Sequence, residues 1–160
     1  MRTAAIVLLL SSSFVLAQQS EPGQLFNSAV AAQQHGDYST AIQDYQKFLK
    51  LQPNMAEARA NLGAALAHEG RFDEAIVEYR RALSSVPGNK EIQMNMGLAY
   101  YKKGDLAHAG GVFDEVHKAM PEDVQVAILL GDCEVRLDHA AAAAAMLTPM
   151  EGANAANPDF

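Results

Sequence analysis

At 160 residues the chain holds one domain's worth of sequence, 49% hydrophobic but only 7% aromatic and without Trp, a balance that suits Ala-rich helices packed through small residues. Twelve basic against 19 acidic residues give a formal net charge of −7. No Lys/Arg face is concentrated enough for nucleic acid, which is excluded as a partner.

Residues 1–17 read as a signal peptide: Arg2 supplies a positive start, Ala4 to Leu10 an apolar core, and Val15-Leu16-Ala17 a small-residue cleavage site. The apolar run is short and Ser-interrupted for a transmembrane span, so membrane association is expected only through an uncleaved N-terminal segment. No Cys follows the apolar core, which disfavours a lipoprotein. Cleavage removes Arg2 and leaves 11 basic against 19 acidic residues, a net −8. The expected location is exported, periplasmic or secreted. Residues 18–21 are expected to be a linker.

From Pro22 the pattern is helical. A first helix is predicted from about Gln24 to His35, then the turn His35-Gly36-Asp37 and a second helix over Tyr38–Leu51, stopped by Pro53. Asn54 and Glu57 have the spacing of a capping pair for the next helix. Between Ala56 and Pro87, Leu62, Gly63 and Leu66 share one face and Ala75, Tyr79, Ala82 and Leu83 another, either side of Gly70. That is an amphipathic stripe repeated twice. Lys90 to Pro121 repeats the scheme around Lys103-Gly104-Asp105, and Gly110-Gly111 in its second helix, at about 1 kcal/mol per Gly, is expected to permit a close crossing or else to be simply a weak point. A last unit, Val124–Leu137, turns at Asp138-His139 into the run Ala140–Ala145, and Pro149 interrupts it. Residues 152–160 read as a disordered tail, or, through Asn157-Pro158-Asp159, as the entry to a further unit.

A single period runs through all of this. Pro53, Pro87 and Pro121 stand 34 residues apart, as do Gly36, Gly70 and Gly104; Ala41, Ala75 and Ala109; Tyr45, Tyr79 and Phe113; and Ala31, Ala65, Ala99 and Cys133. Coincident registers at one spacing mean stacked copies of one hairpin. Counted from Ala56, Gly63, Ala75, Tyr79 and Pro87 occupy the eighth, twentieth, twenty-fourth and thirty-second places. There the sequence resembles the tetratricopeptide repeat family. The resemblance implies an all-α fold, a right-handed superhelical solenoid of antiparallel helix hairpins. It would span residues 22–151 with repeats near 22–55, 56–89, 90–123 and a degenerate 124–151. Cys133, aligned with three alanines, is expected to fill a small buried slot.

The sequence carries no catalytic constellation: no Gly-x-Ser-x-Gly elbow, no phosphate-cradling loop, no His-x-x-x-His or Cys-x-x-Cys ligand spacing. No enzyme, metal or cofactor is expected. What the resemblance does imply is a groove built from the first helix of each repeat, which would hold Phe26, Asn27, Val30, Asn61, Ala64, His68, Met94, Asn95, Leu98, Tyr101 and Ile128. Asn27, Asn61 and Asn95 are 34 apart, and amide side chains can bond a peptide main chain whatever its sequence; alternatively, Asn is only the family's usual residue there. Members that clamp the acidic C-terminus of heat-shock chaperones use Lys and Arg where this chain has Phe26, Glu91 and Asn95, so that clamp is not expected. The expected partner is a protein or peptide segment, the expected role an adaptor or scaffold in the bacterial cell envelope. The alternative is the N-terminal part of a longer array or multidomain protein.

Overall fold

The computed structural model describes residues 21–141, 143 and 144. Seven helices with defined bounds run through them: α1 Glu21–Gln34, α2 Tyr38–Leu51, α3 Ala56–His68, α4 Phe72–Ser85, α5 Lys90–Lys103, α6 Leu106–Ala119 and α7 Val124–Arg136. Residues 140–141 and 143–144 are helical as well. The leader over 1–17, Pro149 and the tail lie outside the described residues. Each helix packs on the one before and the one after, and beyond sequential neighbours the main contact is α3 against α5. This is a one-dimensional stack, in which every hairpin leans only on adjacent ones.

The turn inside each hairpin is one motif used four times. The Asp37 N–H bonds the Ala32 carbonyl at 2.9 Å and the Gly36 N–H bonds Gln33 at 3.0 Å, the paired bonds that satisfy a helix's last carbonyls. Arg71 to Leu66, Asp105 to Tyr100 and His139 to Glu134 repeat the longer bond at 2.9, 2.9 and 2.8 Å. The motif needs a left-handed residue, and Gly36, Gly70 and Gly104 have φ of 77°, 75° and 88°. In the fourth hairpin Asp138 takes that role at φ 63°. The unusual Asp-His turn therefore keeps the geometry of the other three.

Helix starts depart from the expectation in two places. α1 already includes Glu21, the first described residue, within the expected linker, and Pro22 fits a first turn whose N–H groups have no helical acceptor. Asn54 does not cap α3: the cap position is Met55, and it makes no side-chain cap bond. The residues one period on do cap, Asn89 accepting from the Ile92 N–H at 2.9 Å and Asp123 from Val126 at 3.2 Å. The cap register is thus one residue later than the Asn54 reading. α3 is anchored instead by Arg59, which donates to the Pro53 carbonyl at 3.1 and 2.8 Å.

The core follows the period. Tyr45, Tyr79 and Phe113 are at most 2% exposed and Ala41, Ala75 and Ala109 fully buried, each aromatic contributing roughly 1.5–3 kcal/mol by burial. Cys133 fills its small slot with no exposure, and burial pushes its thiol up to about 11. The close crossings, however, lie elsewhere than expected. A Cβ on Gly110 would meet Cys133 at an ordinary 3.6 Å and one on Gly111 would meet nothing, so this pair is not required for packing. The tight places are Gly63 and Gly97, where a Cβ would stand 2.7 Å from the Tyr79 ring and 2.5 Å from the Phe113 ring. There the first helix of a hairpin rests its backbone on the aromatic of the second.

Candidate functional site

The groove face is carried by α1, α3, α5 and α7, with the starts of α2 and α4 as its floor. Because every hairpin has the same internal geometry, the gaps between successive first helices form a series. Among the described residues, open cavities lie in two of these gaps. The first, about 380 Å³, lies between α1 and α3 and brings together Val30, Asn61 and His68 over Tyr38 and Tyr45. The second, about 360 Å³, lies between α3 and α5 and brings together Ala64, His68, Asn95 and Leu98 over Phe72 and Tyr79.

They are the same site displaced by one repeat. Val30, Gln33 and Gln34 of the first become Ala64, Ala67 and His68 of the second; Tyr38 and Tyr45 become Phe72 and Tyr79; Asn61 and His68 become Asn95 and Lys102. His68 lines both cavities, its ring stacked on Tyr38 at 4.3 Å and 4°, and forms the wall between them. The Gln33 Oε1, in the first cavity, is buried and has no hydrogen-bond partner among the described residues.

The remaining expected groove residues are placed differently. Asn27, one period ahead of Asn61, is exposed on α1 and lines neither cavity. Phe26 turns into its own hairpin, edge-on to Tyr45 at 6.0 Å and 5.3 Å from Phe48. Met94 is half-buried against the core, and Ile128 on α7 is half-buried outside both cavities. Tyr101 donates its hydroxyl to Asp132 at 2.7 Å under the Arg136 guanidinium, 5.2 Å from the ring centre. It ties α5 to α7, and the Asp132 bond raises its pKa.

Asn61 has a partner of its own. Burial raises the Tyr45 pKa, and a hydrogen bond from Asn61 opposes that rise. The same places one period on are Tyr79 with Asn95, then Phe113 with Leu129. Where the aromatic loses its hydroxyl, at Phe113, the amide is absent too. Burial alone pushes Tyr79 far up. The cavity floors thus present tyrosines that stay neutral at physiological pH, beside an amide.

Sequence reasoning missed the floor (Tyr38, Tyr45, Phe72 and Tyr79) and Lys102 at the rim. The signal was available, since Tyr38 and Phe72 are themselves 34 apart. Among the described residues no cluster of His, Cys, Asp or Glu could hold a metal ion, and no helix is long and apolar enough to cross a membrane.

The tetratricopeptide repeat profile matches residues 26–90 and again 77–119, more than half of the chain. The chain belongs to the tetratricopeptide repeat family. MamA from Desulfovibrio magneticus RS-1 has a similar solved structure, with 25% identity and a TM-score of 0.77 over 86% of this chain and 77% of that one. A tetratricopeptide repeat protein from Parabacteroides merdae ATCC 43184 superposes at 0.79 with 19% identity, over 86% and 55%. The first such domain of Spaghetti (RPAP3), solved bound to the HSP90 peptide SRMEEVD, superposes at 0.68 with 18% identity, over 73% and 93%. No curated protein sequence matches significantly. These structures share their fold with this chain.

Proposed function

We propose that this tetratricopeptide repeat protein is an adaptor that binds an extended segment of a partner protein along the groove of its first helices, without catalysis, after export to the bacterial cell envelope. The observation that carries the reading is the pair of cavities one repeat apart, with seven lining positions in common register. Repetition of that kind suits a ligand that is itself periodic, and an extended chain places alternate side chains on one face. Asn61 and Asn95 beside the tyrosines offer polar contacts to the main chain passing over them. The peptide held by the Spaghetti domain supports this use of the fold. Export rests on the pattern of residues 1–17 alone.

The test is a comparison of faces. Ala64→Arg fills the second cavity, whereas Val77→Arg alters an exposed residue of α4 that lines neither groove cavity. Partner capture from envelope extract should fall about tenfold or more for the first and stay unchanged for the second, with helical content preserved in both. Loss of binding by Val77→Arg alone would move the site to the opposite face. A mature N-terminus other than one near residue 18, read by mass spectrometry, would overturn the cleaved leader.

A further inference from the structure

The second cavity differs from the first in a way that bears on what enters it. The chain as a whole is acidic at −7, yet neither cavity is lined by any carboxylate. At the place where the first cavity has His68, the second has Lys102. The cation is also unspent. Its neighbour Lys103 is paired with Asp73 at 2.5 Å, and Arg136, one period beyond Lys102, is held by Asp132 at 3.4 Å. Among the described residues Lys102 makes no ion pair. A cation in a helix's last turn also complements the helix dipole, but Lys103 already stands there, and that role would not bring Lys102 to a cavity edge.

Resting on the groove reading above, we propose that the second cavity selects an apolar side chain flanked by an internal Asp or Glu, the apolar group lying over Tyr79 and Leu98 and its carboxylate pairing with Lys102. The first cavity, without a Lys, takes an uncharged apolar residue of the same segment. The segment runs on through the groove rather than ending in it, because the stack of hairpins continues past α5 to α7. The selected carboxylate is therefore a side chain. The net charge of the chain opposes acidic ligands at long range, so the preference is set locally.

The probe is a random dodecapeptide library displayed with its C-terminus fused, which offers internal carboxylates only, panned on the mature chain. Selected peptides should carry Asp or Glu next to an apolar residue and bind about fivefold tighter than their Asn or Gln versions, the scale of a partly exposed ion pair. Lys102→Met should erase that difference, and Lys102→Glu should turn selection towards Lys and Arg; both leave the fold intact because Lys102 is exposed. Acidic enrichment that survives Lys102→Glu overturns the proposal. So does enrichment only in a library with free C-termini, which would make the ligand a chain end. Selected peptides bound equally well by Ala64→Arg and Leu98→Arg would overturn the groove reading instead, a result separate from the charge preference.

Discussion

Gly97 sets two effects of similar size against each other, and the structure decides which wins. It lies inside α5, where replacing Gly by Ala gains about 1 kcal/mol of helix propensity. Against this, the new Cβ would stand 2.5 Å from Phe113 Cε1 and 2.9 Å from Cδ1, roughly an ångström inside ordinary carbon contact. The ring is fully buried, so it cannot swing out, and relieving such overpacking costs about 1–3 kcal/mol. Gly97→Ala should therefore be destabilising by about 1 kcal/mol net, against its propensity. The decisive comparison adds Phe113→Leu, which removes the ring and costs stability by itself. In that background Gly97→Ala should become stabilising by about 1 kcal/mol, a coupling within the 0.5–3 kcal/mol seen for residues in contact. Urea midpoints at constant m, followed by far-UV circular dichroism, read both signs. A stabilising Gly97→Ala in both backgrounds would refute the claim that the aromatic forces glycine here. Ala29, fully buried at the equivalent place of the first hairpin, shows that this hairpin seats a methyl, so Ala29→Gly should cost about 1–2 kcal/mol.

Other substitutions test the turns, caps and buried polar groups. Asp138→Gly relieves a side chain held at φ 63° and should stabilise the last turn by about 0.5–1 kcal/mol, seen as slower exchange of the His139 amide. Met55→Asp supplies the cap that α3 lacks and should raise the urea midpoint by about 0.5–2 kcal/mol equivalent, whereas Asn89→Ala should lower it by as much; no change in either would place the helix starts elsewhere. Asp44, 8% exposed, accepts from Ser28 at 2.7 Å and Lys47 at 3.0 Å, and these bonds hold its pKa below the usual value. Its stabilisation is present above the unfolded pKa near 4 and is lost as pH falls through the lowered folded value, so Asp44→Asn should flatten the acid limb of the stability curve; an unchanged limb would contradict the assignment.

The fold was legible because a solenoid writes its contacts locally. Helix-to-turn geometry repeats every 34 residues, so Gly36, Gly70 and Gly104 could be aligned before any contact was known, and α2 was expected at about the bounds it has. What periodicity cannot show is which equivalent positions have diverged in role. Asp138 sits in the glycine series yet keeps the left-handed turn, since a short acidic side chain tolerates that conformation. Asn54 has the spacing of a capping box, but the structure places the cap one residue later, where Asn89 and Asp123 serve and Met55 cannot. A pattern within one helix missed what comparison across three helices would have shown.

The groove was legible as a face and not as a set of contacts, and the asparagines show why. Read along the chain, Asn27, Asn61 and Asn95 form a ladder for a ligand. Read across the stack, Asn61 faces Tyr45 of the preceding hairpin, and the place after Phe113 holds Leu129. Those two facts belong to contacts between repeats, which spacing within one helix does not reveal. They also change what a substitution measures. Asn61→Ala strips a partner from a buried tyrosine and should cost roughly 0.5–1.5 kcal/mol of stability, so weaker ligand binding by that variant is not by itself a ligand contact. Tyr45→Phe separates the contributions: it removes the hydroxyl that Asn61 serves and frees the amide to face the cavity. Peptide affinity that holds or rises in Tyr45→Phe, and falls when Asn61→Ala is added, assigns the amide to the ligand. Affinity indifferent to Asn61 in the Tyr45→Phe background assigns it to the stack alone.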